Sequence, residues 1–189
     1  MNPISHFFIG WVTANTTPFT RRERTLITVA SIIPDADGFG MLPEYLTKNS
    51  THPLLWYSDY HHVLGHNIYF ALLVAIGSFL LATKRLKTAL FVFLCFHIHL
   101  LGDIIGGRGP DGYQWPIVYF WPISQRYQFA WQGQWMLNAW QNILITLIAL
   151  GFTFYLAWKR GYSPLEMISL RADKKFIETL RHRFPSSRF

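Results

Sequence analysis

The sequence contains a single cysteine, Cys95, so no disulfide can form within the chain, and redox pairing explains nothing about its fold. Charge is scarce: 14% of the 189 residues are Asp, Glu, Lys or Arg, against about 25% in ordinary soluble domains. No low-complexity run, linker or internal repeat interrupts the chain. Met1 to Thr20 lacks a basic start and contains His6 and Asn15, which speaks against a cleaved signal peptide. What remains is apolar: 51% of the residues are hydrophobic.

That apolar content is gathered into runs. Ile68 to Thr83, Thr88 to Ile105 and Leu137 to Trp158 each approach the ~20 residues that cross a bilayer. Two shorter stretches precede them, Pro3 to Ala14 and Thr25 to Ile33. The expected fold is therefore all-α, an integral membrane helical bundle of about five segments. Residues 1–160 form its membrane-embedded domain, and 161–189 a basic amphipathic tail.

The basic residues sort with this reading. The net charge of +7 would suggest nucleic acid for a soluble protein. Here, however, all of the 17 Lys and Arg except Lys48, Arg108 and Arg126 fall in alternate connections or the tail. The positive-inside rule then accounts for them and removes nucleic acid as a partner. It puts the N-terminus outside and the C-terminal tail in the cytoplasm of a multi-pass inner (plasma) membrane protein. The aromatic-rich connection from Arg108 to Trp135 is expected to be an outer loop at headgroup depth. Ser163-Pro164-Leu165-Glu166 reads as a capping box that opens a surface helix against anionic lipid.

The ionisable residues of the apolar segments cluster at the ends opposite the basic loops. His6 begins segment one, and Asp35 and Asp37 follow segment two. His61, His62 and His66 precede segment three, and His99 and Asp103 close segment four. His99 and Asp103 are spaced i, i+4, on one helix face about 6 Å apart along the axis. That offers one nitrogen and one oxygen to a single ion. His62 and His66 have the same spacing if their stretch is helical. Burying such groups at a membrane edge is costly unless they are paired or ligate something. The candidate ligands are His6, Asp35, Asp37, His61, His66, His99 and Asp103. His97, on another face, reads as an interhelical histidine.

An early His, then Pro34-Asp35-Ala36-Asp37, His61 to His66, and His99 to Asp103 before a Gly- and Pro-containing loop resembles the bacterial membrane-bound metal-dependent hydrolases. The resemblance covers about Met1 to Pro122, with Trp121-Pro122 the counterpart of a late motif. That family is similar in turn to the all-helical zinc-dependent phospholipases C, in which the His-x3-Asp pair ligates zinc. The resemblance implies His99 and Asp103 as ligands, joined by His66 or His61 and by Asp35 or Asp37. His6 would serve a second ion. The family's His-Arg-x-x-Thr-His-Ser is here His61-His62-Val63-Leu64-Gly65-His66-Asn67, and no His lies between His99 and His182, which removes a three-metal cluster.

The expected activity is hydrolysis of a phosphoester, including a lipid headgroup, with zinc (one or two ions) or manganese. Asp35 or Asp37, whichever is not a ligand, would take the proton of water. His62 and Arg108 would contact substrate. The alternatives are a non-catalytic membrane protein with a structural metal and a metal-ion transporter.

Overall fold

The computed structural model describes residues 1–109 and 111–185. Arg188, one of the basic tail residues, lies outside them. All five apolar segments are helical: α1 (Pro3–Ala14), α2 (Arg21–Ala30), α5 (Ile68–Leu81), α6 (Arg85–Gly106) and α7 (Trp140–Arg160). Two short helices, α3 (Met41–Thr47) and α4 (Trp56–Tyr60), follow a 3-10 helix over Ile33–Gly40. A second 3-10 turn (Pro164–Met167) leads to α8 (Leu170–Arg183).

Local chemistry starts these helices. Asn2 caps α1 by accepting from the Ser5 amide, with Pro3 in its first turn. Thr20 and Glu23 form a reciprocal capping box on α2. Asn67 accepts from the Phe70 amide at the start of α5. Gly161, at φ 80°, ends α7 in the left-handed conformation that glycine adopts without steric cost.

Length separates the five segments. Helices α6 and α7, with 22 and 21 residues, are long and apolar enough to cross a membrane. Helices α1, α2 and α5 are roughly 18, 15 and 21 Å long at 1.5 Å per residue, short of a ~30 Å hydrocarbon core. Helix α2 and the Ile33–Thr47 stretch, bent by 49° at their junction, form a candidate broken span. The chain thus has two or three candidate spans by length and composition.

The helices pack as α5 on α6, α6 on α2, α2 on α1, and α1 on α7. Ile27, Ala30, Ala75, Val92 and Cys95 fill one core cluster; Ala71, Phe96, Leu100 and Ile117 fill another. The outer faces of α5 and α7 expose Leu73, Ile76, Leu80, Leu147, Ile148 and Phe152. Such apolar breadth suits lipid as the surrounding medium.

The two ends of the bundle differ. At one, the Arg24 guanidinium grips the Glu166 carboxylate at 2.7 and 2.8 Å, and the Lys84 amide donates to Glu23. At the other, Asn142 of α7 donates to the Gly106 carbonyl that ends α6. The His and Asp residues gather at this second end.

The tail departs from expectation in its cap. Ser163 does accept from the Leu165 amide, but it opens only the 3-10 turn, because the Glu166 carboxylate is engaged by Arg24. The amphipathic helix begins later, capped by Ser169. The aromatic connection carries a two-stranded ladder, β1 (Ile117–Val118) against β2 (Gln128–Phe129).

Candidate metal centre

Helix α6 supplies the first pair. His99 and Asp103 stand one turn apart, both fully buried, with Nε2 2.9 Å from Oδ2. The loop before α5 supplies His66, whose Nε2 lies 3.1 Å from His99 Nε2 and 3.4 Å from Asp103 Oδ2. The 3-10 helix after α2 supplies Asp35, whose Oδ1 is 3.6 Å from His99 Nε2 and 3.9 Å from His66 Nε2. One donor atom from each of the four lies within 4.8 Å of the others, a group that could hold a metal ion.

The surrounding bonds decide which nitrogen each imidazole offers. His99 donates from Nδ1 to the Ser31 carbonyl at 2.8 Å. His66 donates from Nδ1 to Asp37 Oδ2 at 3.0 Å. Both rings, when neutral, therefore aim the Nε2 lone pair at the same point, where two carboxylate oxygens also converge. Four such atoms so close, in a buried setting, repel unless positive charge lies among them, supplied by a proton on His66 or by a metal ion that displaces it. Asp35 Oδ2 is buried with no hydrogen-bond donor among the described residues, and Asp103 Oδ2 faces only the His99 and His66 Nε2 atoms, at 2.9 and 3.4 Å. This donor set fits a divalent ion.

The other predicted residues sit one bond further out. Asp37 accepts from His61 Nδ1 (2.8 Å), His66 Nδ1 and the Gly65 amide (3.1 Å). Both of its oxygens are engaged, holding the two histidines and the Gly65 amide. His6 meets Asp103 Oδ1 at 3.0 Å and lies against His99, with ring centres 3.9 Å apart and planes tilted by 31°; the Met1 amine also contacts Asp103 Oδ1. Gly102 permits that approach, since a Cβ there would sit 2.9 Å from the His6 ring. His62 is buried against His66 and Trp115, with an unpartnered Nδ1. Its stretch is not helical: His62 has φ 65°, so the i, i+4 geometry with His66 does not arise. Arg108 turns elsewhere, donating to the Gln132 carbonyl, beside Tyr113 and Gln114. His97 is satisfied but not interhelical: it bonds the Phe93 carbonyl of its own helix and the Tyr119 hydroxyl of the aromatic connection.

Burial lowers the basicity of His62 well below the usual histidine value. Burial pulls His66 the same way, but hydrogen bonds to Asp103 and Asp37 overcome it and raise its pKa to about 9.

Three parts of the surroundings carry no signal in the sequence. The Ser31 carbonyl holds His99, the Gln134 amide donates to the Asp103 carbonyl, and Trp115 packs on both His61 and His62. Trp115 was legible only as one aromatic among many.

The fold and site together define a helical membrane protein with a buried group of two histidines and two aspartates able to bind a metal. The chain belongs to the YdjM inner membrane protein family, whose model matches residues 1–171. No curated protein and no solved structure matches it.

Proposed function

We propose that this protein is a membrane-bound metal-dependent hydrolase that cleaves a phosphoester. The observation that carries the reading is the convergence of His66 Nε2, His99 Nε2, Asp103 Oδ2 and Asp35 Oδ1. Five of their six separations run from 2.9 to 3.9 Å, with all within 4.8 Å, around the ~3.3 Å edge of a tetrahedron built on zinc–ligand distances of about 2.0–2.1 Å. One zinc ion suits the four best, with manganese the alternative. His6 is tied to Asp103 rather than to a second ion.

A bound divalent ion would supply Lewis acidity toward a phosphoryl oxygen and make water more acidic. The residues supply the rest. Asp35 is the accessible ligand: its side chain is 18% exposed, whereas His66, His99 and Asp103 are sealed. Four protein ligands complete a tetrahedron, the closed arrangement of a structural zinc site, so catalysis here requires a fifth position, which the exposed side of Asp35 would open to water. His61, held through Nδ1 by Asp37, has no hydrogen-bond partner for Nε2 among the described residues and is 14% exposed, so we assign it the proton of water. Asp37 thus acts through His61 and His66 rather than as the base itself. Water oxygen bonds to phosphorus, one ester P–O bond breaks, and the alcohol leaves with a proton.

We assign the site to the non-cytoplasmic face. The start of α6 and the end of α7 carry Lys84, Arg85, Lys87, Lys159 and Arg160, and the site lies at the opposite ends of those helices. The tail is then cytoplasmic, with Ile168 and Leu170 exposed for the lipid surface. Transport is disfavoured, since transporter sites lie near the bilayer midplane rather than at helix ends.

The test is hydrolysis of bis(p-nitrophenyl) phosphate by detergent-purified protein loaded with zinc or manganese. Activity lost in His99→Ala and Asp103→Ala, with helicity intact, is the expected result. A metal-loaded wild type with no activity on any phosphoester overturns the reading.

A further inference from the structure

A cleft of about 740 Å³ runs between α1 and the 3-10 helix. Ile4, Phe7, Phe8, Ile32, Phe39 and Met41 line it. Its volume lies in the range of small-molecule sites, roughly 300–1,000 Å³. Asp35 is the one ionisable residue of its lining, whose exposed surface is otherwise apolar. Asp35 is also the accessible member of the metal-binding group. The apolar cleft and the accessible side of the metal-binding group therefore meet at one residue.

That junction says what should occupy the cleft. Its rim is broadly apolar, with Ile4, Phe39 and Met41 61%, 80% and 62% exposed. In a membrane protein such a rim faces lipid rather than water. A water-soluble phosphoester would gain nothing from these walls. A phospholipid would need to leave the bilayer to reach a metal centre approached from water, exposing its acyl methylenes at a cost that grows with each one. A cleft that leads from the apolar flank to Asp35 removes that cost, because the chain never leaves apolar surroundings.

We infer that the cleft between α1 and the 3-10 helix receives an acyl chain of a glycerophospholipid, so that its phosphoester reaches the metal centre sideways from the bilayer. The inference deepens the hydrolase reading and rests on it for the fate of the lipid.

The experiment uses the full chain in phosphatidylethanolamine/phosphatidylglycerol vesicles containing a phosphatidylglycerol with a photoactivatable diazirine in its acyl chain. Adducts are mapped by mass spectrometry. Labelling of Phe7, Phe8 and Phe39 should exceed that of Leu73 and Ile148, on the outer faces of α5 and α7, by about tenfold, the ratio set by roughly 1.4 kcal/mol of preference. The rim variants Ile4→Trp and Met41→Trp, singly and together, narrow the cleft without touching a ligand. They should cut labelling inside it and leave Leu73 and Ile148 unchanged. Equal labelling of cleft and outer faces, or cleft labelling indifferent to both variants, overturns the inference. Hydrolysis of bis(p-nitrophenyl) phosphate is measured in parallel. Cleavage of that diester with even labelling sinks the cleft and leaves the hydrolase. Concentrated labelling with no cleavage of either substrate leaves the acyl-chain site and sinks the hydrolase.

Discussion

His66 and His99 face each other with Nε2 atoms 3.1 Å apart, while each ring's Nδ1 is bound to an acceptor, Asp37 in one case and the Ser31 carbonyl in the other. Two imidazoles so constrained, once both are neutral, present lone pairs to a common point. Elemental analysis of the purified wild type should give one equivalent of metal per chain. His66→Ala and His99→Ala should each abolish it, while Arg108→Ala, whose side chain turns to Gln132, should keep the full equivalent. Retention of metal by the His99 variant would refute the assignment.

The pH dependence of metal binding follows from His66. In the metal-free protein its pKa is raised to about 9, so below that pH the ring carries a proton on the nitrogen that would ligate. Binding must expel the proton, and affinity therefore rises with pH and levels off near 9. Below that, competition by one proton gives a slope of about tenfold per pH unit. Titrations across pH 6 to 9 at fixed ionic strength, the window set by ordinary and raised histidine values, check it. An affinity that does not vary with pH would rule out His66 as a ligand.

Asp37→Asn should weaken the site without removing a ligand. The amide can still meet one ring but cannot accept from His61, His66 and Gly65 as the carboxylate does. Loss of such an orienting partner typically costs 10- to 100-fold, roughly, in metal affinity. Competition with a chelator of known affinity measures it. A variant that binds as tightly as wild type would remove the orienting role.

The opposite end of the bundle should matter for stability and not for metal. The Arg24–Glu166 pair is buried, with the side chains 9% and 5% exposed. Glu166→Gln leaves the guanidinium without its countercharge, at a cost of about 3–5 kcal/mol. Thermal unfolding in detergent should show a lower midpoint, and the surviving folded fraction should still bind one equivalent of metal. An unchanged midpoint would mean that the pair carries no stability.

Much of the helical layout was legible because apolar runs and cap residues act locally. Pro3 to Ala14 is bounded as the sequence suggests, and the His99–Asp103 spacing on α6 delivers both side chains to one point. Where partners are distant, spacing alone misleads. Ser163 to Glu166 has the pattern of a capping box, yet Glu166 is taken by Arg24, 142 residues away. The His62 and His66 spacing suits a helix, but Asp37 pulls the Gly65 amide and both flanking histidines into a loop. Asp37 itself looked as eligible a ligand as Asp35. Only the three hydrogen bonds that fill its oxygens separate them.

The two ends of the bundle also differ in when they can close. A chain is made from its N-terminus. The four converging residues lie between positions 35 and 103, so the metal centre has all its parts while α7 is still to be synthesised. The clamp at the other end must wait for Glu166. A metal ion could therefore be captured early and hold α2, α5 and α6 together before the last long helix arrives to seal α1 against the rest.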